Sequence, residues 1–352
     1  MDMFGLLKPT TLSTALLLKT ESNHMKPSAI RQALPRLLAK QRPVFLWGAP
    51  GVGKSDLIAK VASDCNLQLR DVRLSLLDPV DLKGFPTINK AKTQMTWLPA
   101  DFLPTEGKGL LFLDEMNAAP QSVQAAAYQL VLNRKLGDYT LPDGWSVVAA
   151  GNRTSDRSVV HAMPAALANR FIHLDYDVNV DDWNEWAMEK GIHTDLRAFI
   201  RFRPNLLHSF DAATNPRAFP SPRSWEFVND VYKDHLSQEI EFELIKGTVG
   251  EGASAEFSGF VRLIKDLPTV DSVLLDPKKT RLPESPAAQY ALATALDAKA
   301  TTGNFARIME YIERMPTEFQ VLFMRSALRR DERLTGTKTF ADWGIKNEGV
   351  LT

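Results

Sequence analysis

An α/β fold, a parallel sheet covered by helices and followed by an all-helical region, is what this sequence predicts, on three observations. Apolar runs such as Val44-Phe45-Leu46-Trp47 and Leu110-Leu111-Phe112-Leu113 lack the polar alternation of a half-exposed strand, as expected where both faces of a parallel sheet are buried. Between them lie segments whose apolar residues recur at helical spacing. Beyond about Val178 the strand signals fade and only helical ones continue. The chain of 352 residues is long enough for more than one domain. With 44% hydrophobic and 24% charged residues it is globular, which excludes a disordered, collagen-like or coiled-coil chain.

In chain order, Ser28 is placed to cap a helix through Ile30, Ala33, Leu34, Leu37 and Leu38, which Pro35 either kinks or delays. The strand Val44-Phe45-Leu46-Trp47 runs into Gly48-Ala49-Pro50-Gly51-Val52-Gly53, and a helix starts near Lys54, with Leu57, Ile58, Val61, Ala62 and Cys65 on one face. Residues 67–74 alternate as a second strand, closing a βαβ unit. Residues 78–99 carry Pro79, Gly84, Pro86 and Pro99 with Phe85, Ile88, Met95 and Trp97 between them, and read as an insertion, a helix-like stretch interrupted by a small hairpin. A strand over 109–113 ends in Asp114-Glu115, and Pro120 opens a helix through Val123, Ala126, Ala127, Leu130 and Val131. A second hairpin is expected over 134–145, then strands over 146–150 and 171–174. Helices follow around Trp183, over 224–231, 240–245, 287–300 and 305–330, with 267–285 rich in loop.

Lys plus Arg and Asp plus Glu balance at 42 each, so no global field draws the chain to nucleic acid or anionic lipid. The single cysteine, Cys65, can form neither an internal disulfide nor a multi-thiolate zinc site, which fits a reducing compartment. Ala15-Leu16-Leu17-Leu18 is short and followed at once by polar residues, so it reads as a helix face rather than a signal peptide. No run approaches the roughly 20 apolar residues that span a bilayer. A cytoplasmic protein without a membrane partner is expected.

Gly48 to Ser55 matches the phosphate-binding pattern G-x-x-x-x-G-K-S/T without a mismatch. A buried strand before it and an amphipathic helix after it are the context in which backbone N–H groups and a helix N-terminus converge on an anion. Lys54 is then suited to the β and γ phosphates and the Ser55 hydroxyl to Mg²⁺. The plain alternative is a Gly/Pro turn with a solvated lysine. Asp114 and Glu115 leave the end of an apolar strand, the edge where ligands sit in open α/β sheets. Asp114 suits the metal, and Glu115 suits the polarising of an attacking water. An acidic pair in that place also serves as an ordinary helix cap.

With these motifs the chain resembles an AAA+ ATPase, from about Ser28 to Ser221-Pro222-Arg223, and within that superfamily the MoxR-type (AAA_5) proteins. Asp78-Pro79-Val80-Asp81-Leu82-Lys83-Gly84, Trp97-Leu98-Pro99-Ala100 and Ala149-Ala150-Gly151-Asn152-Arg153 look like the family's motifs. The fold implied is a P-loop NTPase parallel-sheet core with β-hairpin insertions, then an α-helical lid and a C-terminal helical region. The divisions expected are an N-terminal segment at 1–27, a core at 28–178 with insertions near 84–98 and 134–145, a lid at 179–265 and an extension at 266–352.

The resemblance implies a homo-oligomeric, hexameric ring with ATP and Mg²⁺ at each subunit boundary. ATP contacts would come from Gly48, Ala49, Pro50, Gly51, Val52, Gly53, Lys54, Ser55 and Asp56. Asn152 resembles sensor 1, its alternative being a strand-end cap. Arg170 sits where the family carries an arginine finger, with Arg153 and Arg157 as competitors and a salt bridge as the ordinary reading. Arg223 resembles sensor 2, against a simple helix-start arginine. Related proteins are associated with von Willebrand factor A domain partners, so remodelling or activation of a protein partner is the function expected. A nucleic-acid-directed motor and a slow, nucleotide-gated scaffold are the alternatives, nucleic acid being possible but not favoured on charge. ATP against GTP is not decided by the loop. Lys83, Lys90 and Lys92 beside Phe85 and Trp97 read either as a contact with nucleic acid or a threaded chain or, in preference, as a solvated hairpin that packs on its own ring. The histidines His24, His161, His173, His193, His208 and His235 show no metal spacing and read as surface or capping residues.

Overall fold

The structure is a computed structural model that describes residues 24–156, 161, 163–232, 236–265 and 267–347. The apolar piece at 15–18, Arg157 and His235 lie outside the described residues. In order, the strands are β1 (Val44–Trp47), β2 (Gln68–Arg73), β3 (Phe85–Ile88), β4 (Met95–Leu98), β5 (Gly109–Asp114), β6 (Lys135–Leu136), β7 (Tyr139–Thr140), β8 (Trp145–Gly151) and β9 (Ile172–Asp175). Helices α1 (Pro27–Ala39), α2 (Lys54–Asp64), α3 (Pro79–Lys83), α4 (Gln121–Asn133) and α5 (Ala165–Ala168) alternate with them. The described residues fall into two compact units, one drawn from Met1–Gly48, Val61–Gly151 and Met163–Asp177, the other from Ala49–Lys60, Asn152–Ala162 and Val178–Thr352.

The first unit is built on a parallel sheet in the order β2-β5-β8-β1-β9. β5 and β8 are buried along their whole length, which is why their sequences are unbroken apolar or small residues rather than alternating ones. Phe45, Leu111, Leu113, Val123, Leu130, Trp145, Leu167 and Phe171 share one core. Register brings Trp47 level with Gly151 and Leu113 level with Ala149, so β1, β8 and β5 end on one edge. The two insertions are antiparallel hairpins, β3–β4 and β6–β7, as expected.

The N-terminal helix begins one residue before the expected cap. Lys26 is the N-cap, without a side-chain bond, and Pro27 opens the helix, its fixed φ serving where the N–H has no intrahelical partner. Ser28 is therefore inside the first turn. The helix continues through Pro35, held by buried Ile30, Leu34 and Leu38.

The second unit carries the helices α6 (Val180–Glu189), α7 (Thr194–Phe202), α8 (Pro222–Val231), α9 (Gln238–Val249), α10 (Glu251–Lys265), α11 (Val270–Leu275), α12 (Pro286–Lys299), α13 (Phe305–Ile312), α14 (Thr317–Arg330) and α15 (Lys338–Lys346). One core gathers Trp183, Phe199, Trp225, Phe257 and Phe260, and another Phe305, Tyr311, Phe319, Phe323 and Trp343. α12 serves both, giving Ala291 to the first and Leu292 and Leu296 to the second. The stretch read as loop contains α11, started by Thr269, whose hydroxyl accepts from the Ser272 N–H at 3.1 Å. No helix among the described residues is long and apolar enough to cross a membrane.

A buried polar network ties α7, α12 and α14 together. Asp297 is fully buried, accepts from Ser326 Oγ and lies 3.4 Å from Arg330 Nε, while Arg201 donates to Ser326 Oγ at 2.8 Å. Burial, then the neighbouring Arg201 charge, pulls the Arg197 guanidinium down to about 10. One acid thus balances several buried cations. Asp297→Ala should destabilise the protein by about 3 kcal/mol, because the arginines lose their counter-charge. Urea unfolding will measure it, and an unchanged midpoint would show that the network contributes nothing net.

Candidate functional site

The chain leaves β1 through Gly48 into a loop that turns into α2 at Lys54. Gly51 and Gly53 have φ of +77° and +94°, a region that side chains rarely tolerate. A Cβ added at Gly51 would sit 2.8 Å from Ser221 Oγ, so the loop has no room there either. The Lys54 ammonium donates to the Ala49 carbonyl at 3.0 Å and to Asn152 Oδ1 at 3.1 Å. Loop, lysine and Asn152 therefore meet. Ser55 is half-buried, and Asp56 is exposed in the first turn of α2, where a carboxylate suits the positive end of the helix.

The same loop is held from its far side by residues distant in sequence. His208 Nε2 lies 3.1 Å from the Pro50 carbonyl, and the Arg223 N–H donates to the Gly51 carbonyl at 3.4 Å. Ser221 caps α8: its hydroxyl accepts from the Ser224 N–H at 3.1 Å, and Ser224 Oγ accepts from the Ser221 N–H at 2.7 Å. This rigid helix start sets Arg223 in the first turn, exposed, with no ion pair to its guanidinium among the described residues. His208 is thus more than a surface residue, correcting the expectation. His173 also has a specific place, accepting from Trp47 Nε1 at 2.8 Å, and His193 caps α7 as expected.

In the sheet unit, Asp114 is buried at the end of β5 and its Oδ1 accepts from the Glu115 N–H at 2.8 Å. Glu115 has φ +54°, uncommon for a residue with a side chain, and this left-handed step ends the strand. Its exposed carboxylate accepts from Ser75 Oγ. Sequence reasoning missed Ser75, which carries no motif. Partial burial and then the Asp114 charge hold the Asp71 carboxyl above its ordinary value, Arg73 opposing them. Arg170 follows α5, is exposed, and makes no side-chain ion pair among the described residues. Arg153 is half-buried, its N–H donating to Asp156 Oδ2 at 3.0 Å. No metal-binding group of three or more His, Cys, Asp or Glu occurs among the described residues.

A buried strand, a glycine loop with two left-handed steps, a lysine at a helix start and an acid-tipped strand of the same sheet define a P-loop NTPase. Residues 43–173 match the family model described as ATPase family associated with various cellular activities (AAA), so over this stretch the chain is similar to an AAA ATPase domain. The chain is 28% identical over 185 residues to midasin of Giardia intestinalis, covering 49% of this chain and 4% of that protein. It is 36% identical over 123 residues to human ATPase family gene 2 protein homolog B, covering 33% of this chain and 15% of that one. The chain therefore spans only a small part of either relative. Among solved structures, a putative ATPase from Cytophaga hutchinsonii aligns with 86% of this chain and 79% of its own, at 15% identity and a TM-score of 0.34.

Two outcomes follow from this geometry. Gly51→Ala, forced into a left-handed backbone and against Ser221, should bind Mg-ATP at least about tenfold more weakly by titration calorimetry. Because the folded Asp71 carboxyl holds its proton to higher pH than the unfolded one, its penalty is absent at low pH and develops as pH rises through the raised value. Asp71→Asn should therefore be more stable than the parent at neutral pH, the difference vanishing below about pH 4.

Proposed function

We propose that this protein is a Mg²⁺-dependent, ring-forming ATPase of MoxR type that remodels or activates a protein partner. The observation that carries the reading is the Lys54 ammonium, held at 3.0 Å from Ala49 O and 3.1 Å from Asn152 Oδ1 inside a loop whose two glycines are left-handed. That arrangement pre-orients a cation and backbone donors toward an anion, so little has to move on binding.

In this reading Gly48 to Ser55, with Asp56 beside them, hold the triphosphate. Its residues fit the group: the loop offers N–H donors and a lysine, Ser55 and Asp114 offer the oxygen ligands that Mg²⁺ prefers. The metal, when bound, supplies charge neutralisation across the phosphate oxygens. Glu115 takes the proton of the attacking water, its carboxylate accepting from Ser75 Oγ. Asn152, whose Oδ1 accepts from Lys54, orients the water.

Arg223 meets the nucleotide from its own chain. Its position in the first turn of a well-capped helix, with the guanidinium exposed, supports that role. Arg170 acts on a neighbouring copy, since a planar, permanently charged fork suits charge spread over phosphoryl oxygens. Its exposure and lack of an ion pair among the described residues favour it over half-buried Arg153. A hexameric ring, a cytoplasmic setting and a partner with a von Willebrand factor A domain complete the proposal, in line with the resemblance of the motifs.

Glu115→Gln is expected to keep Mg-ATP affinity within about threefold while turnover falls at least about 100-fold, the usual loss on removing a general base. Calorimetry paired with a phosphate-release assay measures both. Unchanged turnover would remove Glu115 from the chemistry.

A further inference from the structure

Two exposed apolar surfaces of opposite charge occur on this chain. The first is the β3–β4 hairpin, where Phe85 pairs with Leu98 and Ile88 with Met95. These four side chains are 58% to 69% exposed. Residues 85 and 88 differ by an odd number, so the two pairs stand on opposite faces of the ribbon. Residues 83–98 carry Lys83, Lys90 and Lys92 and no acid, and none of these lysines forms an ion pair among the described residues. A two-stranded ribbon with apolar residues on both faces is marginal alone.

The second surface is on the packed pair α8 and α9, in the other compact unit. Phe227, Ile240 and Leu244, with Leu236 between the helices, are 40% to 53% exposed. Ile240 and Leu244 lie one turn apart on the face of α9 opposite buried Ile245 and Val249. Acids outnumber cations beside them: Glu226 and Asp230 on α8 with Arg223 in its first turn, and Glu239, Glu241 and Glu243 on α9 with Lys246, which lies 3.6 Å from Glu243.

We propose that the β3–β4 hairpin of one copy docks on the α8–α9 face of a second copy of this chain. Each surface is exposed in its own unit. Charge selects the pairing. Hairpin against hairpin brings lysines together and α9 against α9 brings glutamates together, each repulsive, whereas hairpin against α8–α9 is complementary. Because the two patches are distinct, the contact is head to tail and repeats from copy to copy, which closes a ring or extends a filament rather than ending at a two-fold dimer. Apolar pairs supply the affinity and the rim charges supply the register and the salt dependence. The inference rests on the ring reading and specifies the surfaces that build it.

The test uses the full chain with Cys65→Ser and two single-cysteine variants, Met95→Cys and Ile240→Cys, mixed with Mg-ATP under mild oxidation. A covalent dimer that forms only in the mixture is expected. In parallel, Lys90→Glu/Lys92→Glu and Glu239→Lys/Glu243→Lys should each weaken assembly at least about tenfold by sedimentation velocity, and the two sets combined in one chain should restore it. Circular dichroism checks that each variant is folded. A cross-link within Met95→Cys alone, no cross-link in the mixture, or assembly indifferent to the charge reversals would overturn the proposal, the last assigning the hairpin to another occupant. Mg-ATP uptake by the same variants is read by calorimetry. Its loss in the parent chain would sink the ATPase reading, while uptake and assembly without the cross-link would sink this interface alone.

Discussion

Backbone pairing in the buried centre of a parallel sheet is the constraint on which the rest depends. β5 and β8 have no solvent-facing side, so their peptide groups must be satisfied strand to strand, and every side chain on them must be apolar or small. Polar residues are admitted only where the strands end. That is why Asp114 stands at the last position of β5 and Asn152 just beyond Gly151. On β5 and β8 charged side chains are confined to the sheet's carboxyl edge by the cost of burying them anywhere else.

The phosphate loop obeys a different constraint, that of backbone angle. Two residues in eight must take left-handed φ, and Gly51 must also lack a side chain because Ser221 occupies the space. The loop's shape is thus shared between its own glycines and a helix start far along the chain. Lys54 adds a local tie through Ala49, so the ammonium is positioned before any ligand arrives.

Much of this was legible in the sequence, and the reason is locality. The loop, the strand before it, the helix after it and the acid pair are continuous segments whose residue types are dictated by their own backbone or burial. The contacts of His208 with Pro50 and of Ser75 with Glu115 were not legible, because each joins segments distant in the chain (158 and 40 residues apart) and leaves no periodic trace. The histidines looked alike in sequence, yet His208 braces the loop, His173 receives the Trp47 indole N–H and His193 caps a helix. Ser28 looked like a cap, but Pro27 had already set the first helical angle. α11 leaves no helical signature in the sequence because six residues are too few to show a period.

Glu115 holds its left-handed backbone with a full side chain, where glycine would sit without strain. The step costs about 1–2 kcal/mol, and the Asp114 carboxylate that receives its N–H helps to keep it bent. A carboxylate at this corner is consequently spring-loaded. Relaxing the corner would turn the carboxylate away from Ser75, so the fold trades a little of its own durability for the placement of one acid.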